Sequence, residues 1–380
     1  MKSKNNATDK RVLVAGHICL DITPVFTLPQ VDGLSQVLSP GKLVQVGKAD
    51  IHTGGSVANT GLAMHFFGSD VKLVAKVGKD HFGQVVREIL AQHDCKVNLV
   101  EDEAAGTSYS VVLAVPGVDR VFLHDPGAND TFCAGDITEE MLDGIDHFHF
   151  GYPPLMKKMY EQDGAELRDL LEKVKRSGAT TSLDMAAVDP NSPAGRADWK
   201  KILQKVLPLV DFFVPSAEEI CFMLDRQRYD QWNARSKGGD ITNFLNVEED
   251  IKPLADELIK MGTKVVLIKC GALGIYYKTS GEISGLCHAL GLNPREWSGI
   301  EGFEESFLQE NVVSATGAGD TSIAAFLTSM LSGYSLKRCV QLAAATGACC
   351  ISSYDALSGL EPLDVLWDRI EAGWAKRPAQ

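Results

Sequence analysis

The residues with the clearest chemical potential form one cluster, Ser314–Met330, reading SATGAGDTSIAAFLTSM. Ile323, Phe326, Leu327, Met330 and Leu331 recur at helical spacing, so a helix with one buried stripe is predicted to begin close to Asp320. Gly317, Ala318 and Gly319 stand just before it. Small residues there let the backbone turn tightly and bring successive N–H groups close to a ligand. Free N–H groups at a helix start, aided by the helix dipole, make an anion site. A carboxylate at the same place, Asp320, can accept a proton beside the bound anion. Phosphoryl transfer to an alcohol needs that pair, a cradle for phosphate charge and a base for the hydroxyl. The competing reading makes Asp320 a plain N-cap, and the motif alone leaves both open. No GxxxxGK[ST] occurs, and GAGDTS lacks the third glycine of GxGxxG, so the two common nucleotide fingerprints are absent.

A second glycine motif lies at His52–Gly68, HTGGSVANTGLAMHFFG. Gly54–Gly55 opens a predicted helix with Asn59 one turn in, and Gly61 leaves room for close packing on a sheet. Such a turn could present amides and the Asn59 side chain to a polyhydroxylated ligand; a simple strand-to-helix turn explains it as well. Asp21 ends GHICLD, at the C-terminal end of the first predicted strand, where open α/β sheets place their ligands. His17 sits near the same end, equally compatible with substrate contact and with packing. His147 and His149 share a strand face at metal-compatible spacing, but without a third ligand they read as packing or a hydrogen-bonded pair. Trp297 is a candidate for the border of a nucleotide site.

Elements must position these groups. Arg11–Ala15, Val71–Val77, His147–Phe150, Thr180–Asp184, Asp211–Val214 and Lys264–Lys269 read as strands, several nearly all apolar, as in parallel sheets buried on both faces. Helical patterns alternate with them over Val57–Phe67, Gly83–His93, Tyr160–Arg176, Glu218–Leu224 and Ile251–Met261, and then over Asp320–Leu331 and Leu336–Ser352. Gly178 and Gly262 fall where helix C-cap glycines are expected. Such alternation predicts an α/β sandwich with a mainly parallel sheet. Val44–His52 and Thr107–Leu123 instead alternate polar and apolar residues, the second with a Pro116–Gly117 hairpin signal, and predict a small antiparallel sheet with one wet face. Arg226–Glu249 and Thr279–Gln309 read as loop-rich insertions.

Composition bounds the partners. Lys and Arg total 37 against 50 Asp and Glu, a net charge of 37 − 50 = −13, which argues against nucleic acid or an anionic membrane as the main partner. No apolar run approaches the ~18 residues that span a bilayer, and no apolar segment follows the polar Met1–Lys10, so no signal peptide is expected. The nine cysteines are scattered with no CxxC spacing, which points to a reducing, cytoplasmic setting.

In order along the chain, GHICLD at Gly16–Asp21, GGSVANTG at Gly54–Gly61, VGKDHFG at Val77–Gly83 and PGAND at Pro126–Asp130 are followed by three further motifs. These are DFFVPSAEE at Asp211–Glu219, IKCGALG at Ile268–Gly274 and ATGAGDT at Ala315–Thr321. The set resembles the ribokinase-like, or PfkB, family of carbohydrate kinases over nearly the whole chain. The resemblance implies a three-layer α/β/α sandwich with a mainly parallel sheet, covering residues 11–20, 56–105 and 132–376, with insertions at about 226–249 and 279–309. It implies a β lid over residues 21–55 and 106–131, and a disordered tail at residues 1–10 is expected ahead of them.

The implied activity is ATP- and Mg²⁺-dependent phosphorylation of a sugar hydroxyl. Asp320 would be the base and the Gly317, Ala318 and Gly319 amides the anion hole. Asp21, Gly54, Gly55 and Asn59 would hold the sugar; Lys269, Gly271, Gly274, Thr316 and Gly319 would meet ATP; Glu219 would organise Mg²⁺ through water. The lid would pair two chains as a homodimer. Ser314–Ala315 stands where the family usually has Asp-Thr, which puts K⁺ activation in doubt, and Ser216 stands where its metal motif begins with Asn. Ser56 in place of a lysine weakens ribose as the acceptor. Two alternatives remain open here, a nucleoside kinase of the same fold and a catalytically degenerate sugar- or nucleotide-binding relative.

Overall fold

A computed structural model describes residues 9–118 and 120–377; all but Asp9 and Lys10 of the expected N-terminal tail lie outside them. Thirteen strands appear among the described residues: β1 (Arg11–Gly16), β2 (Cys19–Pro24), β3 (Ala49–Gly54), β4 (Asp70–Gly78), β5 (Lys96–Asp102), β6 (Tyr109–Leu113), β7 (Val121–Asp125), β8 (His147–Gly151), β9 (Thr180–Asp184), β10 (Phe212–Phe213), β11 (Val265–Lys269), β12 (Gly274–Thr279) and β13 (Glu301–Glu305). Nine form one sheet in the order β13-β12-β11-β10-β9-β8-β1-β4-β5, parallel from β11 through β5 and antiparallel at β12 and β13. The central strands are apolar on both faces because both are covered: every residue of β8 and β9 is buried.

One face packs against the helices Ser56–Phe66, Ala318–Leu331 and Leu336–Cys350, with Phe212, Trp297 and Phe326 at the contact. The other carries Lys157–Ser177, Trp199–Val206 and Lys252–Lys260. This is the predicted α/β/α sandwich. The Lys157–Ser177 segment is two helical pieces, because Gln162, Asp163 and Gly164 take left-handed conformations between them. Asp163 there receives the ammonium groups of Lys201 at 2.7 Å and Lys205 at 3.0 Å.

The remaining strands form a second sheet, ordered β3-β2-β6-β7. The sequence pattern predicted it to be antiparallel throughout; instead β2 and β6 run parallel, with Asp21 opposite Ser110. Its hairpin turns at the predicted Pro116–Gly117, but the strand ending the first predicted segment begins only at Ala49.

Both insertions are more regular than their composition suggests. Arg226–Ser236 is a helix, and the second contains a helix over Ser284–Leu290, a short turn over Pro294–Trp297 and the edge strand β13. Arg226–Ser236 shows no apolar stripe because only Trp232 and Ser236 are buried; the Asp225 side chain caps it. β13, EGFEE, lies at a sheet edge with wet faces, so it lacks the period a half-buried strand shows. Trp297 is wholly buried against Phe212 and Phe326, and its indole N–H donates to the Tyr334 carbonyl at 3.2 Å. It is core, not a nucleotide border. No helix among the described residues is long and apolar enough to cross a membrane.

Candidate active site

Asp320 is the third residue of the Ala318–Leu331 helix, whose cap is Gly317 at φ 75°. That left-handed position favours glycine, and a side chain there would also run into Ala356. As first-turn amides, those of Gly319 and Asp320 have no acceptor inside the helix. The capping reading of Asp320 fails on this geometry. Its carboxylate bonds to no amide of its own helix and turns instead to three donors from elsewhere. Asn59 Nδ2 donates to Oδ2 at 2.9 Å, Thr60 Oγ1 to Oδ1 at 3.3 Å, and the Tyr152 hydroxyl lies 2.8 Å from both oxygens. Burial pushes the Asp320 carboxyl above its ordinary range, against the pull of Asn59, Lys269, Tyr152 and Thr60. The result is a nearly buried carboxylate with raised basicity, fixed beside free helix-start amides.

Tyr152 follows β8 and precedes Pro153–Pro154, with φ 68° and ψ 41°. A left-handed backbone is costly for a bulky residue and persists only where the surroundings enforce it. Here it aims the phenol at Asp320. The sequence reading missed Tyr152, Thr60 and Asp184. Tyr152 and Asp184 both sit at C-terminal ends of parallel strands, the signal that marked Asp21.

Lys269 ends β11. Its ammonium lies 2.8 Å from the buried Asp184 Oδ1, and its stem would be 3.4 Å from a Cβ placed on Gly319. Burial works against its charge, but Asp184, Glu219 and Asp320 together hold the ammonium above its ordinary pKa. Lys269, Gly319 and Asp320 therefore meet in one place. Glu219 is the third residue of the Ala217–Leu224 helix and forms a capping box with Ser216: the Ser216 amide donates to Oε2 at 2.7 Å and Ser216 Oγ receives the Glu219 amide at 3.3 Å. Gly271 and Gly274 shape the turn between β11 and β12 at φ 54° and 137°, where side chains would strike Thr242 and the Glu304 carbonyl. Thr316 lies one residue before the cap, and its amide donates to Ser314 Oγ at 3.1 Å. Arg120, from the hairpin of the small sheet, donates to that same Ser314 Oγ at 3.0 Å.

On the other side stand Asp21, Gly54 and Gly55. Any side chain on Gly54 would collide with the Asp21 carboxylate, and Gly55, at φ 87°, would place one 2.6 Å from His17 Nδ1. Both glycines thus permit the close approach of Asp21 and His17 to the turn. Asn59 hangs from the helix that follows and points to Asp320. His147 and His149 are buried and held by Thr180, Ser182 and Ser56. Among the described residues no group of three or more His, Cys, Asp or Glu side chains could hold a metal directly.

The profile described as pfkB family carbohydrate kinase matches residues 11–362. The chain is 23% identical over 370 residues to fructokinase-2 of Solanum lycopersicum, covering 94% of this chain and 95% of that one. It is 22% identical over 329 residues to 2-dehydro-3-deoxygluconokinase of Bacillus subtilis, covering 84% and 87%. A putative ribokinase II from E. coli, solved with ATP and Mg²⁺, superposes with a TM-score of 0.68 at 20% identity, covering 96% of this chain and 99% of that one.

Proposed function

We propose, from the premise that this chain belongs to the pfkB family of carbohydrate kinases, that it transfers the γ-phosphoryl group of ATP to a hydroxyl of a small sugar with Asp320 as the base. One observation carries the residue assignment: the Asp320 carboxylate is buried, turned away from its own helix, and set beside the free first-turn amides of Gly319 and Asp320. A hydroxyl bound there would give its proton to Asp320 as it attacks. Charge developing on the transferred group would fall to the amides of Gly317, Ala318 and Gly319, that of Ala318 turning from its 3.4 Å contact with the Ala315 carbonyl.

Asp21, Gly54, Gly55 and Asn59 would hold the sugar, and Lys269, Gly271, Gly274 and Thr316 would meet the nucleotide. Glu219 fits an ion held through water, because Ser216 occupies one of its oxygens and no direct three-ligand cluster exists among the described residues. Bound Mg²⁺ would supply neutralising charge to the phosphate oxygens. Activity independent of K⁺ is proposed, since Arg120 donates to the Ser314 hydroxyl ahead of the glycine loop. The small sheet would close over the sugar and pair two chains as a homodimer. The nine cysteines are all free thiols, which supports a cytoplasmic setting.

The test is Asp320→Asn with ATP, Mg²⁺ and a panel of hexoses, pentoses, keto-deoxy acids and nucleosides, read as ADP release. A fall in kcat of at least about 100-fold, with ATP binding retained, is expected. Undiminished turnover in the variant would remove Asp320 from the role.

A further inference from the structure

Between Asp21 and Asp320 runs a wall of ring side chains contributed by three separate elements. His17 follows β1, His124 lies on β7, and Tyr152 follows β8. The His17 ring lies 5.3 Å from that of His124 and 6.0 Å from that of Tyr152. At one end the wall reaches Asp320 through the Tyr152 hydroxyl. At the other, His124 Nδ1 meets Ser110 Oγ at 3.0 Å, on the strand beside Asp21.

His17 stands out within this wall. It is only 2% exposed, yet neither ring nitrogen has a hydrogen-bond partner among the described residues. Burying a polar group without a partner is costly, and such exceptions usually mark a ligand or a function. The ring is placed against Gly55, whose missing side chain is what lets Nδ1 approach, so the unpartnered imidazole packs on the glycine turn proposed to hold the sugar.

We infer that His17 is a specificity-determining residue that hydrogen-bonds a ring or chain hydroxyl of a neutral polyhydroxylated acceptor, a sugar without a carboxylate. The inference rests on the kinase reading above and narrows its substrate class. Its charge logic is simple. The wall begins and ends at carboxylates, Asp21 and Asp320, and no lysine or arginine intervenes along these contacts. Burial holds the His17 imidazole neutral, its pKa lowered to about 3, so it offers one donor and one acceptor and no positive charge. A sugar hydroxyl, itself donor and acceptor, matches that pair; a carboxylate beside His17 would lie between two acids, with Lys269, the cation near Asp320, already paired with Asp184 at 2.8 Å.

The experiment compares the parent, His17→Phe and His17→Gln with neutral hexoses and pentoses, with 2-dehydro-3-deoxygluconate and with nucleosides, measuring ADP release and acceptor binding by calorimetry. For the parent, a neutral sugar is expected to have the highest kcat/KM. His17→Phe should raise the KM for that sugar on the order of tenfold, leaving the KM for ATP within twofold as evidence of an intact fold. His17→Gln, which keeps a donor and an acceptor, should recover part of the loss. Preference for the sugar acid overturns the inference while leaving the kinase reading standing. So does an acceptor KM within twofold of the parent in His17→Phe, or equal losses for ATP and acceptor in both variants. Absence of turnover and binding with every compound overturns it together with the kinase reading.

Discussion

Asp320 combines two properties that oppose each other in water: it is charged enough to be held by three donors and buried enough to be basic. Desolvation raises its pKa, and Asn59, Tyr152 and Thr60 pull it back down. Tyr152 therefore tunes as well as places the carboxylate proposed as the base. Removing its hydroxyl takes away a donor to the carboxylate, so the Asp320 pKa should rise further. Because Asp320, as the proposed base, would work only when deprotonated, the acid limb of kcat/KM against pH should move to higher pH in Tyr152→Phe. An unmoved limb would show that the phenol does not tune Asp320. The effect is specific to the acid side, which separates it from a general loss of packing.

At the scale of elements, the glycine loop and the strand β8 show how local conformation sets the site. Gly317 satisfies two demands at once, a left-handed backbone and the absence of a side chain next to Ala356. Gly317→Ala should lower stability by about 1–3 kcal/mol and weaken ATP binding; thermal unfolding and the KM for ATP report both. Unchanged values would mean that the loop has slack the geometry does not suggest. The HFHF segment of β8 has a different device. Thr180 Oγ1 donates to the Asp146 carbonyl, so it accepts from His147 Nδ1, and His147 Nε2 then accepts from Ser182. Ser182 in turn accepts from His149 Nδ1, whose Nε2 faces Ser56 at 3.3 Å. The chain ends at the first residue of the Ser56–Phe66 helix, which carries Asn59 and Thr60 to Asp320. It satisfies two buried imidazoles and ties the sheet to the helix whose Asn59 and Thr60 hold the Asp320 carboxylate.

For the whole molecule, buried neutral histidines make stability depend on pH. Burial lowers His17, His147 and His149 to about 3 in the folded chain. Unfolded, each would take up a proton as pH falls below ~6.5, while the folded form would not until near 3. Stability is thus complete above pH ~6.5 and is lost as pH falls through that window. At pH 5 the loss is on the order of 2 kcal/mol for each such histidine. Urea midpoints should drop between pH 7.5 and 5, and a flat profile would contradict the neutral, buried assignment. Assembly is a separate matter of exposed surface. The edge strand β7 leaves Phe122 51% and Leu123 55% exposed, and β3 leaves Ile51 45% exposed. Exposed apolar edges of this kind favour pairing. The chain should sediment as a dimer at micromolar concentration and Phe122→Asp with Leu123→Asp as a monomer; a monomeric parent would refute the lid contact.

Local pattern determined much of this protein. Apolar strands alternating with amphipathic helices carry the α/β sandwich, because burial on both faces of a parallel sheet writes itself into every strand. The glycine-rich turns at Gly54–Gly55 and Gly317–Gly319 mark the two sides of the candidate site, because close backbone approach demands small residues. What the sequence could not show was decided by contacts far apart along the chain. Asn59 and Asp320 are separated by 261 positions, and Tyr152 and Asp320 by 168, so no spacing records that both donors converge on one carboxylate. The polar Arg226–Ser236 helix and the wet edge strand β13 escaped notice for a related reason: each is held by caps and neighbours, not by an apolar period of its own. The raised pKa of Asp320 and the imidazole of His17, unpartnered among the described residues, are consequences of burial, and burial exists only once the chain has folded.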